Sequence, residues 1–189
     1  MPRTSRSPSV STIVLTAGLL ALTACTGPEP APPPKSSPPV FENEEQALAA
    51  VTETYQEFMR ISNTILVEGG VEVDRIDVIV GDELAEFEHG SLIELAAAGK
   101  TLVGAPTLVS TRISEWYPTP DSLGVIAKAK SCIDLSSVDV LDAAGNSTVR
   151  PDRPRTRTWA YDVGVGGTGQ SDFVLLEHDV DAEGDSCEI

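Results

Sequence analysis

Residues 156–165 read Thr156-Arg157-Thr158-Trp159-Ala160-Tyr161-Asp162-Val163-Gly164-Val165. Side chains alternate across a strand, so Trp159, Tyr161, Val163 and Val165 share one face and Thr158 and Ala160 the other. The stretch ends in Gly166-Gly167-Thr168-Gly169, a turn signal, and residues 171–180 then read as a partner strand. Working back, residues 107–117 alternate with Val109, Ile113 and Tyr117 on one face. Thr119-Pro120-Asp121 turns the chain. Residues 122–133 set Val125, Ala127 and Ala129 against Lys128 and Lys130, and a strand over 136–142 ends in Ala143-Ala144-Gly145-Asn146. Strands joined by such short turns pair as antiparallel hairpins.

Upstream the period changes from two to the helical one. Asn43 and Gln46 have the spacing of a capping box, and Ala47, Leu48, Val51, Tyr55, Phe58, Met59 and Ile65 recur on one helical face. A helix over 44–66 follows, stopped by Gly69-Gly70. A short segment lies near 73–79, and a second helix over 82–98 has Leu84, Phe87, Leu92 and Leu95 as its apolar set and Gly99 after its last turn. Helices first and strands afterwards imply an α+β domain, with the N-terminal helices packed on a curved antiparallel sheet.

Everything before residue 41 has a different character. Residues 1–24 carry Arg3 and Arg6 and a short apolar run from Ile13 to Leu22. The run is shorter than the roughly 20 apolar residues a membrane span needs, and fits a secretory signal. Leu22-Thr23-Ala24-Cys25 resembles the lipobox of bacterial lipoproteins; the resemblance implies a diacylglyceryl group on the Cys25 thiol and cleavage after Ala24. Residues 26–40 contain seven prolines in fifteen, which favours an extended polyproline tether. Its reach would be on the order of 45 Å. The expected layout is therefore a signal peptide at 1–24, a lipidated cysteine and tether at 25–40, and one α+β domain at 41–189.

Composition limits the partners. The chain has 189 residues and a formal net charge of −16; without Arg3 and Arg6 the remainder carries 11 − 29 = −18. A surface this acidic repels phosphate backbones and anionic lipid alike, so nucleic acid is not an expected partner and attachment to a membrane calls for covalent lipid.

Apart from Cys25, the cysteines are Cys132 and Cys187. In an exported chain an even pair is most simply a disulfide; the alternative is two thiols for metal or redox work, which the lack of a CxxC motif disfavours. The histidines are His89, in the second helix, and His178, between Glu177 and Asp179 in the last strand, where a surface position among acids is expected. No serine-hydrolase elbow and no phosphate-binding glycine loop occur. The tail carboxylates Asp179, Asp181, Glu183 and Asp185 lack the closing glutamate of a calcium loop. Arg150, Arg153, Arg155 and Arg157 form the one basic cluster and are expected to offset neighbouring acids. No catalytic, cofactor or metal residue is assigned.

The order of elements resembles the nuclear-transport-factor-like cone fold, the group that includes ketosteroid isomerases and SnoaL-like proteins. With the lipobox and tether, residues 91–99 (SLIELAAAG), residues 138–148 (VDVLDAAGNST), Arg150-Pro151-Asp152-Arg153-Pro154 and a cysteine near the C-terminus, the chain also resembles small cell-surface lipoproteins of high-GC Gram-positive bacteria. The first resemblance implies a pocket between helices and sheet, where an enzyme would place an acid or base such as His178, Asp162 or Tyr55. Two functions follow as expectations. One is a non-catalytic binding or interaction module, lipid-anchored on the outer face of the cell membrane, with a protein or small apolar molecule as ligand. The alternative is a small isomerase- or cyclase-type enzyme acting on an apolar molecule.

Overall fold

The computed structural model describes residues 39–181 and Cys187; the expected signal peptide, Cys25 and most of the tether lie outside them. Helix α1 spans Glu44–Val67. Its N-cap is Asn43, whose Oδ1 accepts from the Gln46 N–H at 2.9 Å, while Gln46 Oε1 accepts from the Glu42 N–H at 3.1 Å. This is the expected capping box, with the return bond made one residue early. Ala47, Val51, Tyr55, Phe58, Ile61 and Ile65 form the buried stripe. At the far end Gly70 has φ +76°, and a Cβ there would stand 2.7 Å from that of Ala96, so the turn is available to glycine alone.

A 3-10 turn over Val73–Val78 leads into α2, Asp82–Ala97. Six strands follow: β1 Thr101–Val103, β2 Thr107–Trp116, β3 Val125–Asp134, β4 Asp139–Leu141, β5 Thr156–Val165 and β6 Phe173–Val180. The main sheet is antiparallel in the order β2-β3-β5-β6, and β1 and β4 form a separate two-stranded ribbon. The helices pack against this sheet, which is the α+β arrangement expected. Ile65, Ile76, Val80, Ile126 and Leu175 are fully buried at the interface, each stabilising the fold by about 1.5–3 kcal/mol.

Three sequence readings need correction. The first concerns β2. Val109 is 58% exposed; the inward set is Leu108, Thr111, Ile113 and Trp116, facing Ile133, Ser131, Ala129 and Ala127 of β3. The register shifts after Leu108 and again after Ile113. Each bulge inserts one residue and reverses the faces, so unbroken alternation could not hold along this strand. The second concerns residues 136–142, which do not enter the main sheet. Leu135 N–H donates to the Arg155 carbonyl at 2.7 Å, after which the chain leaves to pair β4 with β1. Gly104 permits this crossing, since a Cβ there would lie 1.9 Å from the Ser137 carbonyl oxygen. The third concerns α2: Phe87 is 65% exposed and Glu88 is buried in its place.

The turns fall where glycine and asparagine put them. Asn146 N–H donates to Asp142 Oδ1 at 2.8 Å, closing the loop after β4. Gly166 N–H donates to the Asp172 carbonyl at 2.9 Å, closing the hairpin between β5 and β6.

Cys132, fully buried on β3, faces Cys187 at disulfide distance, with Cα atoms 5.2 Å apart. The bridge closes a sequence separation of 55 residues, for which chain entropy gives about 4 kcal/mol. The double variant Cys132→Ser/Cys187→Ser should therefore lose about 4 kcal/mol of unfolding free energy in a urea titration, and the wild-type chain with reductant should lose a similar amount.

Candidate functional site

Residues three and four apart on a helix share a face, so Tyr55, Phe58, Met59 and Leu66 of α1 look together at the sheet. Opposite them, Ile133 of β3, Trp159 of β5 and His178 of β6 point inward, and Leu102 and Val138 from the β1/β4 ribbon close the side. Between these walls lies a recess of about 190 Å³, with Ser62 and Asn63 at its α1 side. Most of its lining is apolar.

His178 is the centre of this site. Its ring stacks on Trp159 at 4.5 Å and 18°, and meets Phe58 edge-on at 4.7 Å. Nε2 lies 3.2 Å from the Tyr55 hydroxyl and Nδ1 lies 3.4 Å from Glu88 Oε1. A carboxylate accepts and a phenol donates, so one tautomer satisfies all three groups: Nδ1–H donates to Glu88 and Nε2 accepts from Tyr55. Burial, with smaller contributions from Tyr161 and Glu88, holds the Tyr55 hydroxyl well above its ordinary range and therefore protonated. Its ring stacks on Tyr161 at 4.3 Å and 12°. The Tyr161 hydroxyl then meets Ser131 Oγ at 2.8 Å, and Ser131 Oγ meets Thr111 Oγ1 at 2.8 Å.

This placement corrects the reading of His178 as a surface residue. Its side chain is 10% exposed and that of Glu88 11%. His178 pairs across the sheet with Tyr161, on the face that looks toward α1. Of the three acid–base residues that the cone resemblance implied, Tyr55 and His178 come together. Asp162 does not: it sits on the other face of β5, bonded to the Lys128 ammonium, and that bond is the main reason the Lys128 pKa is raised. His89 is apart too, with Nε2 2.7 Å from Asp77 Oδ1. Among the arginines, Arg153 donates to the Leu135 and Val138 carbonyls at 2.8 Å each, bracing the ribbon beside the recess.

Sequence reasoning missed Glu88, although a signal existed. Leu84, Glu88 and Leu92 are spaced four apart, so the carboxylate falls in the middle of the buried stripe of α2. A charge at such a position requires a partner, and His178 is that partner.

Chemically, the site combines aromatic walls with a polar cluster whose hydrogen-bonding groups are used internally. Neither imidazole nitrogen is left over to take a proton from a bound molecule. A larger and more polar cleft of about 600 Å³ lies beside α1, near Glu53, Glu57, Arg60, Gln170 and Asp172. There the Arg60 guanidinium is already held by Glu57 at 2.6 and 2.7 Å. Among the described residues no group of three or more histidine, cysteine or acidic side chains is placed to hold a metal ion.

No protein-family model matches the chain, and no curated protein does. Among solved structures, the crystal structure of the intermembrane space region of the chloroplast protein ARC6 is similar, with a TM-score of 0.50 and 14% identity, covering 70% of this chain and 95% of that one. At that identity the likeness is one of fold alone: nearly the whole of that region shares the arrangement of helices on an antiparallel sheet.

The paired tyrosines supply a pH test. Burial pushes Tyr161 up to about 12 from an ordinary 10.0, against the pull of its bonds to Ser131 and Thr111, and Tyr55 is raised as well. A raised folded-state pKa means stability present in full below the unfolded value near 10 and lost as pH climbs through 12. Ultraviolet absorbance in an alkaline titration should show Tyr55 and Tyr161 ionising only together with loss of near-ultraviolet circular dichroism. Ionisation of all three tyrosines in a chain that stays folded would contradict the burial described here.

Proposed function

We propose that the protein is an exported lipoprotein, anchored through lipid on Cys25, whose cone-type domain is a non-catalytic binding module for a small apolar molecule or an apolar side chain of a partner. The observation that carries the binding half is the recess between α1 and the sheet. It is walled by Phe58, Met59, Trp159 and the ribbon residues Leu102 and Val138, with His178 committed on both nitrogens. Such a surface gains from excluding water around an apolar group and offers no free base to react with it. The anchoring half is supported by the residues around Cys25 and by the acidic charge, which leaves covalent lipid as the means of attachment. No helix among the described residues is long and apolar enough to cross a membrane.

The competing reading, an enzyme of isomerase or cyclase type, draws support from the Tyr55–His178–Glu88 contact inside the recess. It would require His178 to give up one of its two bonds when substrate enters.

Two measurements test the proposal. Titrating the full chain with the apolar fluorophore N-phenyl-1-naphthylamine should give saturable binding. Ser62→Trp, which fills the recess from the helix side, should weaken it about tenfold, or about 1.4 kcal/mol, with the unfolding midpoint little changed. Equal affinity in both chains would remove the recess as the binding site. For the anchor, Cys25→Ser should move the protein from the detergent-rich to the aqueous phase on Triton X-114 partition of whole cells; retention in the detergent phase would defeat the lipoprotein reading.

A further inference from the structure

Strand β6 is the edge of the main sheet. Its first half is closed off: Leu175 N–H donates to the Ile79 carbonyl at 2.9 Å, and Gly81 N–H donates to the Leu175 carbonyl at 2.7 Å. The chain then turns into α2, and beyond Leu175 no strand lies against this edge among the described residues. The parity of the ladder shows which backbone groups are left. Asp181 N–H donates to the Thr158 carbonyl at 3.0 Å, and His178 and Val180 sit opposite Tyr161 and Trp159. Alternate residues of an antiparallel strand bond inward. The N–H and C=O groups of His178 and Val180 therefore point outward, and the Val180 N–H donates to Asp179 Oδ1 at 2.6 Å.

Beside this open edge runs a trough of about 480 Å³ between β6 and α2, which shares only His178 with the recess. Leu84, Phe87 and Leu176 make its apolar floor, and Glu83, Glu177 and Asp179 its rim. Phe87 is 65% exposed. Among the described residues none of the three rim carboxylates takes part in an ion pair. Lys128, whose charge Glu177 also influences, is bonded to Asp162.

We infer that the edge of β6 over residues 176–180 is a docking site for an extended, basic segment of another protein, which adds to the sheet as a further strand. Outward backbone groups supply the affinity common to strand addition, and alternate side chains supply selectivity. Of those side chains, the set on the α2 side would lie on Leu84 and Phe87 beside Glu83, and the other, lysine or arginine, would meet Glu177 and Asp179 on the opposite face. A second copy of this chain is not the occupant: pairing β6 with β6 would set Glu177 and Asp179 of each against those of the other, in molecules of net charge −16. The carboxylates thus guard the edge against self-association and leave it open to a basic strand.

The test uses the full chain in detergent and an alternating lysine–valine peptide, with an alternating glutamate–valine peptide of equal length beside it. The lysine–valine peptide should bind and slow hydrogen exchange at the His178 amide at least about tenfold, and the glutamate–valine peptide should do neither. Glu83→Gln/Glu177→Gln/Asp179→Asn should weaken binding about tenfold, and Phe87→Ser should weaken it too, whereas Glu44→Gln/Glu45→Gln on α1 should leave it unchanged. Absence of binding overturns the inference. So does binding without protection of His178, or binding lost equally in the α1 variant, either of which would mark a diffuse attraction of a polycation to an acidic surface.

Discussion

The stack of Tyr55 on Tyr161, with rings 4.3 Å apart, is the contact on which the arrangement of helices and sheet depends. It brings the middle of α1 onto the middle of β5. From it two polar chains run in opposite directions, one through His178 to Glu88 on α2 and one through Ser131 to Thr111 on β2. Four of its members are titratable and nearly enclosed. Their hydrogen bonds are strong because water is excluded, and each partner would be costly to bury alone. A network of this kind specifies one docking of the helices, since sliding α1 by a turn would take Tyr55 away from both His178 and Tyr161.

The sheet is shaped to receive that docking. Bulges interrupt the register of β2 twice, and β3 and β6 once each. They increase local twist and bend the strands, so that the ends of the sheet rise around α1. The recess is the space this curvature leaves between α1, Trp159 and the β1/β4 ribbon. The open edge of β6 has a related origin: the chain pairs with Leu175 and then turns into α2, which brings Glu88 to His178, and among the described residues this leaves the second half of the strand without a neighbour. The recess and the open edge are thus by-products of the same packing solution.

Much of the architecture was legible in residue order. The capping pair at Asn43 and Gln46, the apolar stripe of α1, the alternation of residues 156–165 and the glycine turns are local signals, each governed by a few neighbouring residues. The readings that failed did so where one inserted residue or one distant partner decides. Bulges in β2 turned Val109 outward, and His178, read as surface from its acidic neighbours, points inward because Glu177 and Asp179 take the other face of β6. Phe87 looked like core and Glu88 was passed over, because the packing of α2 on the sheet decides which of two adjacent faces is buried.

What the sequence determined by itself is the class of the fold, the helix and turn boundaries, the acidic character of the chain, and the pairing of Cys132 with Cys187 as the simplest use of two cysteines. These follow from periodicity, capping, glycine geometry and charge, which act over short range or over the whole chain. Only the tertiary structure decided that Tyr55, His178 and Glu88 meet. They come from three elements separated by 33 and 90 positions in the chain, and their contact exists because two helices cross one curved sheet at a single orientation. Burial then turns an otherwise ordinary histidine among acids into the centre of the molecule.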